Sequence, residues 1–363
     1  MTGWLPCSGD PDAEQIMNTI RIAGRSIGAS APVFIVAEMS ANHDQDLAQA
    51  LALVDVAADA GVDALKLQTY TPASLTLPTA HPSAQVEAIW GAATLFELYQ
   101  KAAMPYEFHQ PLIERARARG LVVFSTPFDF DGVDYLEKFD LPAYKVASSE
   151  LVHLPLLRHI AQTGKPVILS TGMADMAEVA EALNVLASAG ADQIALLHCC
   201  ATYPADPASV NLAAMQNMRQ AFGHPVGFSD HTLGCAVPIA AAALGACIIE
   251  KHFTNDPGRP GPDHRYSIDP RGLRQMVDGI RKVELAVGDG RKIMAGDEAA
   301  SRAVGRRSVF STVEIPAGTT ITGDMLTIVR PGSGLHPRYF ELLVGRVARR
   351  DIPASWPVSW DDI

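Results

Sequence analysis

The chain has 363 residues, 48% hydrophobic and 19% charged, with a net charge of −11. That length can bury a large core in one or two domains, and the acidity argues against nucleic acid as a partner, so any anionic ligand must be met by a few local cations. No apolar run reaches the roughly 20 residues a membrane-spanning helix needs, so no membrane partner is expected.

Residues 1–18, MTGWLPCSGDPDAEQIMN, include acidic residues and lack a basic-then-apolar signal pattern. They read as an N-terminal extension, and the cytoplasm is the expected location. The five cysteines include the adjacent pair Cys199 and Cys200 and show no C-x-x-C spacing. Reduced packing residues are expected, with neither a disulfide framework nor structural zinc.

From residue 19 to 285, short β-rich segments alternate with Ala- and Leu-rich helical patterns. The segments are FIVAE, ALKLQT, LVVFSTPF, AYKVASSE, PVILSTG, IALLHC, PVGFSD and CIIEKHF. Between them, stretches such as DLAQALALVDVAADAG carry helical spacing and a closing glycine. Eight βα units in this length predict a (β/α)8 TIM barrel, and no G-x-G-x-x-G follows the first strand to suggest a dinucleotide fold. Residues 286–303 are polar and Gly-containing, a linker. Residues 304–363 mix short strand patterns with Pro/Gly turns, which predicts a small β-rich domain.

Barrel enzymes use the C-terminal ends of their strands, so the polar tails there are informative. They are Glu38; Lys66 and Gln68; Ser125 and Thr126; Lys145, Ser148 and Glu150; Ser170 and Thr171; His198; Asp230 and His231; and Glu250, Lys251 and His252. Lys66 and Lys145 predict positive potential for a small phosphate or carboxylate, with the hydroxyls of STPF, ASSE and STGM as neutral donors. A Schiff-base role for one lysine is a second reading, and a capping or snorkelling role a third. His231 and His252 close neighbouring strands and could share a divalent ion, Mn or Mg, with Asp263 nearby. Glu38 and Glu150 are candidates for acid–base work, or for salt bridges to the lysines. His43, His153, His159 and His224 are expected on the surface or in loops, and RARARG on a solvated helix face.

The motifs AEMSANH, LKLQTY, FSTPFD, YKVASSE, LSTGM, GFSDHTLG, EKHFT, RPGPD and VRPGSG together resemble the sialic acid synthases, from about Ile20 to the C-terminus. The resemblance implies a nonulosonic acid synthase joining phosphoenolpyruvate to an open-chain amino sugar, with a tail like the antifreeze-like SAF domain. It implies phosphoenolpyruvate contacts at Lys66, Thr126, Lys145, Ser148 and Ser170, proton handling at Glu150, and metal ligands at His231 and His252. Glu38, Gln68, Tyr203 and Asp263 match sugar-holding positions. Arg330 matches an arginine offered to the partner subunit in a domain-swapped homodimer.

Two departures stand out. CCATYP places Cys200 and Ala201 where similar proteins often carry Thr followed by Asn or Ser, and Ser149 replaces a common Gly. On substrate, AEMSANH, AIWGAATLFELYQKAAMPYEFH and PVSWDDI look like pseudaminic acid synthases, which are slightly favoured. GRPGPDHRYS looks like the N-acetylneuraminate and legionaminate branches. A metal-free Schiff-base aldolase and a non-catalytic scaffold carrying a binding module are the remaining alternatives.

Overall fold

The structure is a computed structural model that describes residues 19–28, 30–86 and 92–363. The N-terminal extension and part of the AIWG segment lie outside the described residues. The chain divides into two compact units, Met1–Gly288 and Asp289–Ile363.

The first unit is a closed, all-parallel barrel. Its strands are β3 (Phe34–Glu38), β4 (Ala64–Thr69), β5 (Val122–Pro127), β6 (Tyr144–Val146), β7 (Val167–Ser170), β8 (Ile194–Cys199), β9 (Val226–Asp230) and β10 (Ile248–His252). They pair in chain order, and β10 closes on β3. The eight expected segments are these eight strands. Their outward faces pack against helices such as Leu47–Ala60, His109–Ala118, Leu154–Gln162, Met176–Ser188 and Pro270–Val287. Capping follows the sequence: the Asp46 side chain accepts from the Ala48 and Gln49 amides, and Gly61 ends that helix with φ 81°.

One feature was absent from the sequence reading. β1 (Thr19–Ile22) and β2 (Arg25–Gly28) form an antiparallel hairpin ahead of the barrel. Its Ile20, Ile22 and Ile27 share one buried cluster with Phe34, Val36, Ala64, Phe124, Ile168, Ala195, Leu197 and Ile248. The hairpin therefore plugs the N-terminal end of the barrel and leaves polar groups for the other end. Gly227 belongs to this layer, where a Cβ would collide with the Ile248 carbonyl and the Leu197 side chain.

The second unit has its own core of Val309, Ile315, Ile321, Leu326, Leu335, Leu343, Ala348, Ile352 and Val358. β11 (Ser308–Ser311) pairs antiparallel with β12 (Leu326–Val329), and isolated bridges such as Ile315 to Ile352 complete it. A helix, Glu298–Gly305, takes up the last six of the 18 residues expected as linker and runs past its end.

Candidate active site

Side chains alternate along a strand, so the inward positions of each barrel strand stack in tiers. Above the apolar tier comes a charged one. Val36, Ala64 and Ile248 are each followed two residues later by Glu38, Lys66 and Glu250, while Lys145 follows Ala143. Lys66 Nζ lies 2.9 Å from Glu38 Oε2 and 3.5 Å from Glu250 Oε1, and Lys145 Nζ lies 3.8 Å from Glu250 Oε2. All four are buried. The lysines are thus not bare cations awaiting an anion; carboxylates already neighbour both.

Burial alone would lower Lys66, but Glu250 and Glu38 outweigh it and hold it above its ordinary value. Lys145 has the weaker partner, and burial lowers it. For Glu250, the two lysines outweigh burial and lower it, whereas burial raises Glu38. Lys66 donates to Thr126 Oγ1 at 3.2 Å and Lys145 to Ser170 Oγ at 2.7 Å. Each ammonium therefore has a hydroxyl beside it that an anion's oxygens can share.

Glu150 follows β6 in a short 3-10 turn, Ser148–Glu150, which carries it over the pocket. Burial raises its carboxyl, while the Ser149 hydroxyl, donating to Oε2 at 2.7 Å, acts the other way. Ser149, the departure from glycine, thus meets the Glu150 carboxylate directly, a contact sequence alone did not show. Ser148 Oγ accepts from the Gly172 amide at 3.0 Å, fixing the turn against the loop after β7.

His231 and His252 meet at the mouth with ring centroids 5.2 Å apart. His231 Nδ1 donates to the Cys200 carbonyl at 2.8 Å, which leaves the lone pair on Nε2. Position 200 works here through its backbone, so the cysteine side chain does not disturb the contact. Burial lowers both imidazoles, His252 strongly, and neutral rings are what a metal needs. His252 Nδ1 is buried with no hydrogen-bond partner. The pair fits a divalent ion that takes its other ligands from water and substrate; among the described residues no group of three or more His, Cys, Asp or Glu is placed to hold one.

Tyr203 and Tyr266 flank the histidines, with Tyr203 4.2 Å from His231 and Tyr266 5.4 Å from His252 between centroids. Gln68 Nε2 donates to Glu38 Oε1 at 2.7 Å and Ser40 Oγ at 3.1 Å. Asp263 accepts from the Ser40 and Tyr266 hydroxyls and from the Ala41 amide at 3.1 Å. These groups line a cavity of about 550 Å³, a size suited to small molecules.

The barrel pocket therefore brings together Glu38, Lys66, Gln68, Lys145, Ser148, Glu150, Ser170, Tyr203, His231, His252 and Asp263, with Thr126 touching Lys66. Arg330 belongs to the second unit and is exposed. Glu250 and Tyr266 were missed as site residues, although Glu250 sits two before His252 and Tyr266 three after Asp263, spacings that share a face. Five of the polar tails point elsewhere, among them Thr171, whose Oγ1 donates to the Leu197 carbonyl at 3.0 Å. Ser125 Oγ lies 2.7 Å from Thr69 Oγ1, which contacts His109; His198 Nε2 meets the Val210 carbonyl at 2.6 Å; Asp230 pairs with Lys251. His43 is a correction: it is fully buried, and burial lowers it to about 4. The arginines of RARARG pair instead of merely being solvated, Arg115 and Arg119 both reaching Asp55.

Comparisons with known proteins identify the family. The NeuB family profile matches residues 53–292 and the SAF domain profile residues 306–363. The pseudaminic acid synthase of Helicobacter pylori is 38% identical, covering 92% of this chain and 98% of its own. The N,N'-diacetyllegionaminic acid synthase of Campylobacter jejuni is also 38% identical, covering 87% and 96%. The crystal structure of N-acetylneuraminic acid synthetase from Leptospira borgpetersenii superposes with a TM-score of 0.70 at 31% identity, covering 78% of this chain and 95% of the other. With two thirds of its length matched by the profile and these relatives spanning nearly all of it, the chain belongs to the NeuB family and carries a C-terminal SAF domain.

Proposed function

We propose that this protein condenses phosphoenolpyruvate with an open-chain amino sugar, giving a nine-carbon 2-keto acid of the sialic type and phosphate. The observation that carries this is a single pocket with two buried ammonium groups and their hydroxyls in its floor, a buried carboxylate at one side and two neutral imidazoles at its mouth. Lys66 and Lys145, with Thr126, Ser148 and Ser170, bind the anionic substrate. Gln68, Glu38, Asp263 and Tyr203 orient the sugar. His231 and His252 would hold the divalent ion, Mn or Mg, which when bound polarises the sugar's carbonyl.

The alkene carbon of phosphoenolpyruvate then bonds to the aldehyde carbon. Water adds to the neighbouring carbon, its proton passing to Glu150, and the C–O bond to phosphate breaks. Glu38 and Glu250 beside the lysines stabilise positive charge developing at the enol carbon. A pseudaminic-type product is slightly favoured; the alternative is N-acetylneuraminate or a legionaminate. The test is phosphate release from phosphoenolpyruvate with a panel of amino sugars, and no release with any of them would sink the reading.

A Schiff-base aldolase has one observation in its favour, since burial lowers Lys145 toward nucleophilic range. Borohydride trapping with pyruvate would separate the two. We also infer a domain-swapped homodimer in which the exposed Arg330 enters the partner's sugar site. Arg330→Ala and Glu150→Ala should each be nearly inactive, and mixed dimers should regain activity, because one of their sites is intact. No recovery after verified exchange would refute the swap.

A further inference from the structure

Asp263 and Tyr266 reach the pocket from the long connection after β10, whose helical content is a single 3-10 turn, His264–Tyr266. A connection with so little regular structure needs outside ties to hold a carboxylate still. Those ties come from the loop after β3. On the pocket face, Asp263 Oδ2 accepts from the Ser40 hydroxyl and from the Ala41 amide at 3.1 Å.

Behind that face lies a second set of contacts. His264, the residue next to Asp263, is fully buried and does not line the cavity. Its Nε2 is 2.9 Å from Asp44 Oδ1 and its Nδ1 is 2.7 Å from Thr254 Oγ1. An ionised carboxylate only accepts, so Nε2 carries a proton and donates to Asp44. Asp44 Oδ2 accepts from Arg259 Nε at 2.9 Å, so one side chain of the β3 loop holds both the start and the end of the connection. The backbone passes so close over the imidazole that a Cβ on Gly261 would lie 2.7 Å from His264 Cδ2. Gln49 and Asn255 exchange amide hydrogen bonds at 2.9 and 2.8 Å, and Asn42 Nδ2 donates to the Phe253 carbonyl at 2.7 Å.

The β3 loop bends sharply to make these contacts. Ser40, Asp44 and Gln45 take φ of 47°, 51° and 53°, a left-handed region costly for residues with a Cβ. The first two are the residues whose side chains meet Asp263 and His264.

We infer that Asp44 and His264 are positioning residues: the imidazole is a rigid spacer through which Asp44 fixes where Asp263 and Tyr266 stand at the acceptor sugar. This rests on the synthase reading and adds to it a pair that touches no substrate. Lys66, Lys145 and Ser170 stand on β4, β6 and β7, so the anion site does not depend on the spacer. Acceptor and phosphoenolpyruvate must therefore respond differently to its loss.

The experiment measures phosphate release with phosphoenolpyruvate and, as acceptors, N-acetylmannosamine and 2,4-diacetamido-2,4,6-trideoxyhexoses. His264→Phe keeps a ring in the slot but removes the donor, and it should raise the acceptor KM roughly tenfold while the phosphoenolpyruvate KM stays within about twofold. Asp44→Ala should give the same split, and the double variant should lose no more than the worse single one, because the two act as a unit. Arg259→Leu, at a half-exposed site, replaces His264→Phe if that variant does not fold. Equal changes in both KM values, unchanged values, or additive losses overturn the inference and leave the synthase reading intact. If no acceptor releases phosphate, the synthase reading falls, and amide hydrogen exchange still decides where Asp263 stands. The Ala41 amide, held by Asp263, should lose protection at least about fivefold in His264→Phe, while the Met39 amide, held by the Lys66 carbonyl at 3.1 Å, should not. Unchanged protection at Ala41 overturns the spacer role.

Discussion

Two ion-paired clusters sit toward the C-terminal ends of the barrel strands, share β10 and face opposite ways. On the helix side, Lys251 Nζ donates to Asp230 Oδ2 at 2.5 Å and to the Thr232 carbonyl at 2.7 Å, while Asp230 Oδ1 accepts from the Thr232 amide and hydroxyl at 2.9 and 2.8 Å. That cluster is closed. On the pocket side, Glu250 Oε2 and His252 Nδ1 are buried without a hydrogen-bond partner, the nearest ammonium to that carboxylate oxygen being Lys145 at 3.8 Å, and Glu38 Oε2 meets only the Lys66 ammonium at 2.9 Å. Charge type, burial and strand position are shared; what separates a structural cluster from a chemical one is unused bonding capacity aimed into a cavity.

Removing the open imidazoles should have the largest effect. His231→Ala or His252→Ala should cut phosphate release by about a thousandfold or more, because the carbonyl-polarising group is lost, with the fold retained. Chelation should do the same to the native protein, and Mn or Mg should restore it. Release that survives chelation would end the metal proposal.

The closed cluster should answer to stability instead. Lys251→Met leaves Asp230 buried beside no cation and should cost about 3 to 5 kcal/mol in urea denaturation. Lys66→Met should cost clearly less, since its carboxylate neighbours face a pocket that water can enter. Equal losses would erase the distinction between the two clusters.

Binding separates them next. Lys66→Met or Lys145→Met should weaken phosphoenolpyruvate binding by about 2 to 4 kcal/mol in calorimetry, the range for removing one partner of a buried charged contact. Binding left unchanged by either replacement would remove that lysine from the anion site.

The barrel was legible because eight apolar runs ending in polar groups, at βα spacing, leave few other architectures. The β1–β2 hairpin was not, since two four-residue strands carry too little pattern to stand out. Within the site, chain position located the polar tails but did not say which way they face. Strand alternation sorts them: Glu250, His252 and Thr126 point inward, Lys251 and Ser125 outward. His43 was misplaced for a different reason, because its loop is packed under Phe108 by residues distant in sequence. The segment LFELYQKA, Leu95–Ala102, was read only as part of a resemblance; that its Leu95, Leu98, Tyr99 and Ala102 line the pocket depends on how the chain after β4 folds back.

The smallest effect concerns Ser149, which fills one acceptor position on the pocket-side carboxylate Glu150. Burial raises Glu150, and the Ser149 hydroxyl partly opposes that by favouring the ionised form. If Glu150 takes the proton from water it must be ionised, so the acidic limb of the kcat/KM profile follows its pKa. In Ser149→Ala the opposing contribution disappears, Glu150 rises further, and the limb should move to higher pH by up to about one unit. Well above the limb both proteins hold Glu150 ionised, and their rates should nearly coincide; below it the variant should be slower. A serine that only packed would alter rates without moving the limb. A limb that stays put, or moves to lower pH, would mean either that Glu150 is not the base or that the 2.7 Å contact does not favour its ionised form.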